Sequence, residues 1–163
     1  MLYTKIDDKS VYLNEVIYVI KNKTFKHPII HLNKIDKKYT ESIELGYGSL
    51  FTNATGSSNT AIGHTALLFN TASNNTAVGF EAGYNNTSGE NITAVGYQAG
   101  RDNQSDNSVA IGYKAGYTNQ GDYAIALGNV AGATNQAGYS IVINAAATGP
   151  SVDNQGFYVN PIR

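Results

Sequence analysis

From Ile43 onward, apolar and polar residues follow a pattern that recurs every 16 or 17 residues. In each repeat an apolar residue or threonine comes first, usually alanine second and a branched aliphatic third, as in Thr60–Ile62. Alternation with a period of two is typical of a β-strand, and a short fixed repeat is typical of a solenoid. The pattern therefore predicts an all-β fold with one such strand in every coil.

A corner residue follows each predicted strand. It is glycine in six repeats and asparagine in two: Gly46, Gly63, Gly79, Gly96, Gly112, Gly128, Asn144 and Asn160. Asparagine is too large for a close backbone approach, but it is the usual substitute for glycine in the left-handed region. The exchange therefore predicts a left-handed φ at every corner.

Two more columns align with the corners. A small residue stands three positions later, at Ser49, Ala66, Ala82, Ala99, Ala115, Ala131 and Ala147. Asparagine stands seven positions later, at Asn53, Asn70, Asn86, Asn103, Asn119 and Asn135. The asparagines are interpreted either as turn residues with unusual φ and ψ or as an amide ladder between coils. Each coil then consists of a strand, a corner, a second short strand and a polar turn.

Charge and glycine divide the chain into regions. Residues 1–40 carry eight lysines against four acids, residues 41–163 carry three basic residues against eight acids, and all 17 glycines lie at or after Gly46. We expect a small β-rich N-terminal segment (1–40) that caps the repeats or docks onto a particle, a repeat region (41–148) and a C-terminal continuation (149–163). The scattered lysines, without arginine, do not favour nucleic acid as a partner.

A single coil has few large apolar residues. Around Gly112 only Val109, Ile111 and Tyr113 are large enough to form a core, and burying each contributes about 2 kcal/mol. Ordering sixteen residues costs about 1.5 kcal/mol each. The simplest way to offset this cost is for several chains to associate and bury their aliphatic columns in a shared interior. A trimeric roll would do so, although this argument does not fix the number of chains at three.

The repeats "SNTAIGHTAL", "NNTAVGFEAG", "NITAVGYQAG" and "NSVAIGYKAG" resemble the head repeats of trimeric autotransporter adhesins. They resemble still more closely the "NTAIG…A" repeats of phage tail fibres and of surface fibres of large DNA viruses. The resemblance covers residues 41–148, and it implies that residues 149–163 are either a continuation of the repeats or a connector to a missing chaperone or tip. It implies a homotrimeric, left-handed parallel β-roll used in adhesion.

The ends of the chain favour a virion fibre over a bacterial adhesin. The opening residues lack a secretion signal, no apolar run could span a bilayer and no membrane barrel follows the repeats. We therefore expect a non-enzymatic fibre or spike on the virion surface that serves host attachment, joined to other virion proteins through residues 1–40. The alternatives are a purely structural capsid or spacer protein and the head of a bacterial adhesin on the cell surface. An ice-binding solenoid fits less well, because the stacked threonines give way to Val109.

Tyrosines are the candidates for contact with a host glycan or protein receptor, at Tyr84, Tyr97, Tyr113 and Tyr117. Alternatively, the rings of the column after the corner stack on one another and shield the strands. No catalytic triad, cofactor or metal site is predicted. Pro28 between His27 and His31 argues against a metal-binding helix, and residues 102–107 lack a complete set of calcium ligands.

Overall fold

The described part of the chain is a parallel β-solenoid, as the repeat predicts. A computed structural model describes residues 42–149 and 152–160, which contain ten short strands and no helix. Eight strands form one parallel sheet: β1 Ile43–Leu45, β2 Thr60–Ile62, β3 Thr76–Val78, β4 Thr93–Val95, β6 Val109–Ile111, β8 Ile125–Gly128, β9 Ile141–Asn144 and β10 Phe157–Asn160. The N-terminal segment predicted for residues 1–40 lies outside the described residues.

The strand register confirms the coils of 16–17 residues. Thr60 pairs with Thr76, Thr76 with Thr93 and Thr93 with Val109, so every strand lies directly beside its equivalent in the next coil. A second parallel sheet joins β5 Asp102–Gln104 to β7 Thr118–Gln120 and supplies the predicted second strand in two coils. Isolated bridges from Asn85 to Asp102 and from Thr118 to Thr134 extend it on both sides.

The second residue of the six main strands from β2 to β9 faces the interior of its own chain. Ala61, Ala77, Ala94, Ala110, Ala126 and Val142 are at most 1 % exposed. The small residues three positions after the corner are buried opposite them, from Ser49 to Ala131, whereas Ala147 is exposed. A coil of this circumference is therefore filled by methyl groups, and the larger aliphatic side chains on either side of each inner residue lie outside.

Buried amides and four larger apolar side chains, Leu50, Leu67, Ile92 and Val152, occupy the rest of the interior. The amides are Asn59, Asn70, Asn75, Asn86, Gln104, Gln120, Gln136 and Asn144. The Nδ2 atom of Asn86 donates to Oδ1 of Asn70 at 3.0 Å, and Nε2 of Gln120 donates to Oε1 of Gln136 at 3.3 Å. Hydrogen bonds between coils thus stabilise a core whose apolar content is small.

Bonds between asparagines of successive coils occur among both buried and exposed members of the asparagine column, whereas the unusual φ occurs only among the exposed members. Asn70 and Asn86 are fully buried and bond the backbone of their own turns as well as each other. Asn103, Asn119 and Asn135 are exposed, have φ between 50° and 55°, and form an amide ladder of 3.1 and 2.8 Å. The exposed members are therefore at once left-handed residues and ladder residues.

Replacing Asn75 with alanine should reduce the free energy of unfolding by about 3 kcal/mol. Asn75 is fully buried, donates to Oδ1 of Asn70 and to the carbonyl of Gly89, and accepts from the amide of Ile92. Alanine leaves the buried amide of Ile92 without its acceptor, and it leaves Oδ1 of Asn70 and the carbonyl of Gly89 with only their bonds from Asn86. Urea unfolding at one chain concentration measures the effect, with the exposed Asn154→Ala as a control expected within about 0.5 kcal/mol of the parent protein. Equal stability of the two variants would contradict a structural role for the buried amides.

The prediction of a left-handed φ at every corner is confirmed for the glycines and wrong for the two asparagines. The six corner glycines have a positive φ, between 106° and 138°, which is larger than the left-handed helical value near 57°. A Cβ on Gly96 would lie 2.5 Å from the carbonyl oxygen of Gly112, so the glycine is needed for close approach of neighbouring coils as well as for its φ. Asn144 and Asn160 do not have a positive φ; they end strands β9 and β10, and Nδ2 of Asn160 donates to Oδ1 of Asn144 at 3.0 Å.

Residues with φ near the left-handed helical value lie two and four positions after the corner. The first position is occupied by Gly48, Thr65, Glu81, Gln98, Lys114 and Val130, with φ between 47° and 68°. The second is occupied by Leu50, Leu67, Gly83, Gly100, Gly116 and Gly132, with φ between 48° and 59°. These residues turn the chain away from the main strand and set the position of the side chains between them.

Candidate functional site

A ladder of aromatic rings runs along the solenoid one residue after the corners. Tyr47, His64, Phe80, Tyr97 and Tyr113 stack in succession, with ring centroids 5.3 to 5.4 Å apart. The planes of the last three rings are within 9° of parallel. The strand register produces this geometry, because it places equivalent residues of successive coils directly beside one another.

The stacking limits what Tyr97 can contact. Its ring lies between Phe80 and Tyr113, so both faces are largely covered, although 45 % of the residue is exposed. The ladder therefore presents ring edges and hydroxyl groups to solvent. A partner can contact these groups, but the faces of the inner rings are not available to a flat ligand.

Two cations connect the four tyrosines that the sequence singles out. The guanidinium carbon of Arg101 lies 4.8 Å from the ring centroid of Tyr84 and 5.8 Å from that of Tyr117. The Nζ atom of Lys114 lies 5.2 Å from Tyr117 and 5.5 Å from Tyr113. Since Tyr97 stacks on Tyr113, all four belong to one continuous cluster of rings and cations.

Arg101 is held by two carboxylates. Its Nε donates to Oε2 of Glu81 at 2.8 Å and its Nη1 donates to Oδ2 of Asp102 at 2.7 Å. Partial burial raises the pKa of Glu81, but hydrogen bonds from Arg101 and Gln98 outweigh it, so this pKa lies below its usual value. The bond to Glu81 in turn raises the pKa of Arg101, against the opposing effect of burial. The ion pairs therefore fix Arg101 between the tyrosine rings at neutral pH.

The strand face is a second candidate surface, formed by the outward residues of the main sheet. One column contains Ile43, Thr60, Thr76, Thr93, Val109, Ile125, Ile141 and Phe157. The other contains Leu45, Ile62, Val78, Val95, Ile111, Leu127, Ile143 and Val159. None of these residues is charged, and Ile43, Ile111, Ile143 and Phe157 are 38 to 67 % exposed.

The strand face is comparable in size to the largest apolar patch of an ordinary soluble chain. Eight strands about 4.8 Å apart and about 10 Å long give an area of roughly 340 Å². The largest patch on a typical monomer covers about 300–600 Å² and is often functional. The columns expected to be pooled between chains thus lie on the outside of the single chain.

Sequence reasoning missed a second aromatic pair. Tyr123 and Tyr139 stack with centroids 5.1 Å apart and are 53 and 63 % exposed. They occupy the left-handed column that contains Ser58, Asn74, Asn91 and Asn107 in earlier coils. The substitution of tyrosine for asparagine in this column is the signal that could have identified them.

The described residues offer little for metal chemistry. They contain no group of three or more histidine, cysteine or acidic side chains placed to hold an ion. His27 and His31 lie outside the described residues. Residues 42–149 and 152–160 also contain no helix that could cross a membrane.

Comparison with known proteins adds no relative to this description. No protein-family model, curated protein or solved structure matches the chain.

Proposed function

We propose that the chain is a non-enzymatic, homotrimeric fibre or spike protein of a virus particle that serves host attachment. The observation that carries the proposal is the uncharged strand face. A single chain encloses mainly alanines and amides, with a few larger apolar side chains such as Leu67 and Ile92, and leaves the aliphatic residues of the two strand-face columns on its surface. Three chains whose strand faces meet around one axis would bury these columns in a common core. Because the repeats resemble those of viral fibres, we propose that this trimer is part of a virus particle.

The cluster of tyrosines, Arg101 and Lys114 is the proposed receptor surface. Tyr84, Tyr97, Tyr113 and Tyr117 combine apolar ring edges with hydroxyl groups, a combination enriched at protein interfaces. A host surface glycan or protein is the proposed partner. Residues 1–40 would then join the fibre to other virion proteins, and neither nucleic acid binding nor membrane insertion is part of the proposal.

Light scattering of the purified full-length chain tests the assembly. The expected mass is about 52 kDa, three times the 17.4 kDa of one chain. Immunogold labelling of virus particles with an antibody against the solenoid tests the location and should decorate the particle surface. A mass of one chain at micromolar concentration would contradict the trimer. A correctly assembled trimer that is absent from particles would contradict the virion assignment.

A spacer in the particle is the second candidate, and the covered ring faces favour it. Rings that stack on each other rather than on a partner stabilise a rod without recognising anything. Seven spacings of about 4.8 Å also make the described solenoid only about 34 Å long. Binding to intact host cells separates the two functions. A trimer that binds cells and loses binding when Tyr97 and Tyr113 are replaced by serine supports attachment, whereas no binding supports the spacer.

A further inference from the structure

A groove opens among the polar turns at the C-terminal end of the described solenoid. It has a volume of about 540 Å³. Its lining includes Tyr139, Asp122, Asp153, Asn154 and Gln155. These residues precede the main strands and belong neither to the strand face nor to the ladder that begins at Tyr47. The groove is therefore a surface distinct from both, and the function proposed above gives it no role.

Tyr139 supplies the apolar wall of the groove. One face of its ring stacks on Tyr123, and the equivalent position in the next coil holds Gln155 instead of a third ring. Tyr139 is thus the last ring of its stack and is 63 % exposed. Unlike Tyr97, it is not enclosed between two rings, and most of its surface is open to the groove.

The other side chains of the groove supply both kinds of hydrogen-bonding group. Asp122 and Asp153 provide carboxylate acceptors, whereas Asn154 and Gln155 provide amide donors as well as acceptors. A ligand that carries only positive charge would leave the amide donors unused. Hydroxyl groups donate and accept, so a polyhydroxylated ring would use the whole lining.

The charge of the groove limits the type of ligand. Neither this groove nor the neighbouring one is lined by lysine or arginine within the described part of the chain. The neighbouring groove, of about 260 Å³, contains Asp106 and shares Ser105 and Asp122 with the first. Carboxylates along both grooves repel an acidic sugar, and the shared residues provide a continuous track for more than one ring.

We propose that the groove beside Tyr139 binds a neutral oligosaccharide, with one sugar ring against the exposed ring of Tyr139 and its hydroxyl groups bonded to Asp122, Asp153 and Asn154. The inference rests on the attachment function proposed above, to which it adds a ligand class and a second site. It goes beyond the tyrosine cluster around Arg101, because that cluster lies on a different part of the coil.

The test uses the full-length protein on an array of neutral and sialylated oligosaccharides, followed by calorimetric titration with the neutral oligosaccharide that binds best. The variant Tyr139→Asn removes the ring and retains the turn, because Asn74, Asn91 and Asn107 adopt the same φ in earlier coils. We expect it to weaken binding about tenfold. The matched control Phe51→Asn removes an exposed ring that belongs neither to the groove nor to the tyrosine cluster and should leave the affinity unchanged.

Several results would overturn the site: no neutral oligosaccharide binds, only sialylated ones bind, Tyr139→Asn leaves the affinity unchanged, or a trilysine peptide binds more tightly than any neutral oligosaccharide. Light scattering on the same samples separates this proposal from the fibre. A trimer that binds no neutral oligosaccharide refutes the groove and leaves the trimer intact. A single chain that binds in a manner dependent on Tyr139 refutes the trimer and leaves the groove.

Discussion

Replacing Gly96 with alanine is expected to lower the free energy of unfolding by about 4 kcal/mol, at the upper end of single substitutions. Gly96 has a φ of 130°, a conformation that side chains rarely adopt. The added Cβ would lie 2.5 Å from the carbonyl oxygen and 2.8 Å from the carbonyl carbon of Gly112. The backbone of Gly112 cannot move aside freely, because its amide donates to the carbonyl of Val95 at 2.8 Å.

Urea unfolding followed by circular dichroism measures this loss, and Gly48→Gln is the matched control. Gly48 has a φ of 68°, and a Cβ there would lie 3.3 Å from a side-chain methyl group of Thr65. Gln98 occupies the same column with a φ of 53°, so glutamine fits this backbone. We expect the control to lie within about 1 kcal/mol of the parent protein. Equal losses in the two variants would contradict the close approach of the coils at the corners.

The repeat made the main features of the fold predictable. Equivalent residues recur at a fixed spacing, so alignment of Thr60, Thr76 and Thr93 in the sequence already gives the register of their strands. Alternation within "TAI" further indicates that residues on either side of the alanine share a face. Local pattern and long-range pairing agree because, in a solenoid, each coil pairs mainly with its neighbours.

The corner conformation could not be read from the same columns. Exchange of glycine for asparagine is consistent with one backbone shape that accepts both residues or with two different shapes. Gly128 and Asn144 pair in register, yet only Gly128 has a positive φ. Side-chain bonds of Asn144 and Asn160 accompany the change, and such bonds depend on neighbouring coils rather than on the local sequence.

Part of the candidate site was accessible from the sequence. Tyr84, Arg101 and Tyr117 occupy one column, so the placement of Arg101 between two rings follows from the period alone. The covered faces of Tyr97 follow from ring orientation, which the period does not determine. Nor does the alternation show that alanine lies inside, since that depends on how little space a coil of sixteen residues encloses.

Replacing Ile111 with lysine is expected to dissociate the proposed trimer. Ile111 lies on the strand face and is 40 % exposed in the single chain, so lysine can extend into water there without disturbing the coil's own interior. In the trimer the same substitution would place three ammonium groups near the common axis, away from water and beside each other. Burial of unpaired like charges costs several kcal/mol, which exceeds what the lost aliphatic contacts alone would cost.

Light scattering should therefore show the mass falling from about 52 kDa towards the 17.4 kDa of one chain. Thr87→Lys adds the same charge at an exposed turn residue and should leave the trimer intact. Thr93→Lys, on the strand face at a position that is already polar, provides a second test if the Ile111 variant does not fold. Dissociation by both strand-face variants but not by the control would locate the interface. Retention of the trimer and its thermal stability in both would mean that the aliphatic columns meet no other chain, because buried, unpaired lysines could not leave the assembly unchanged.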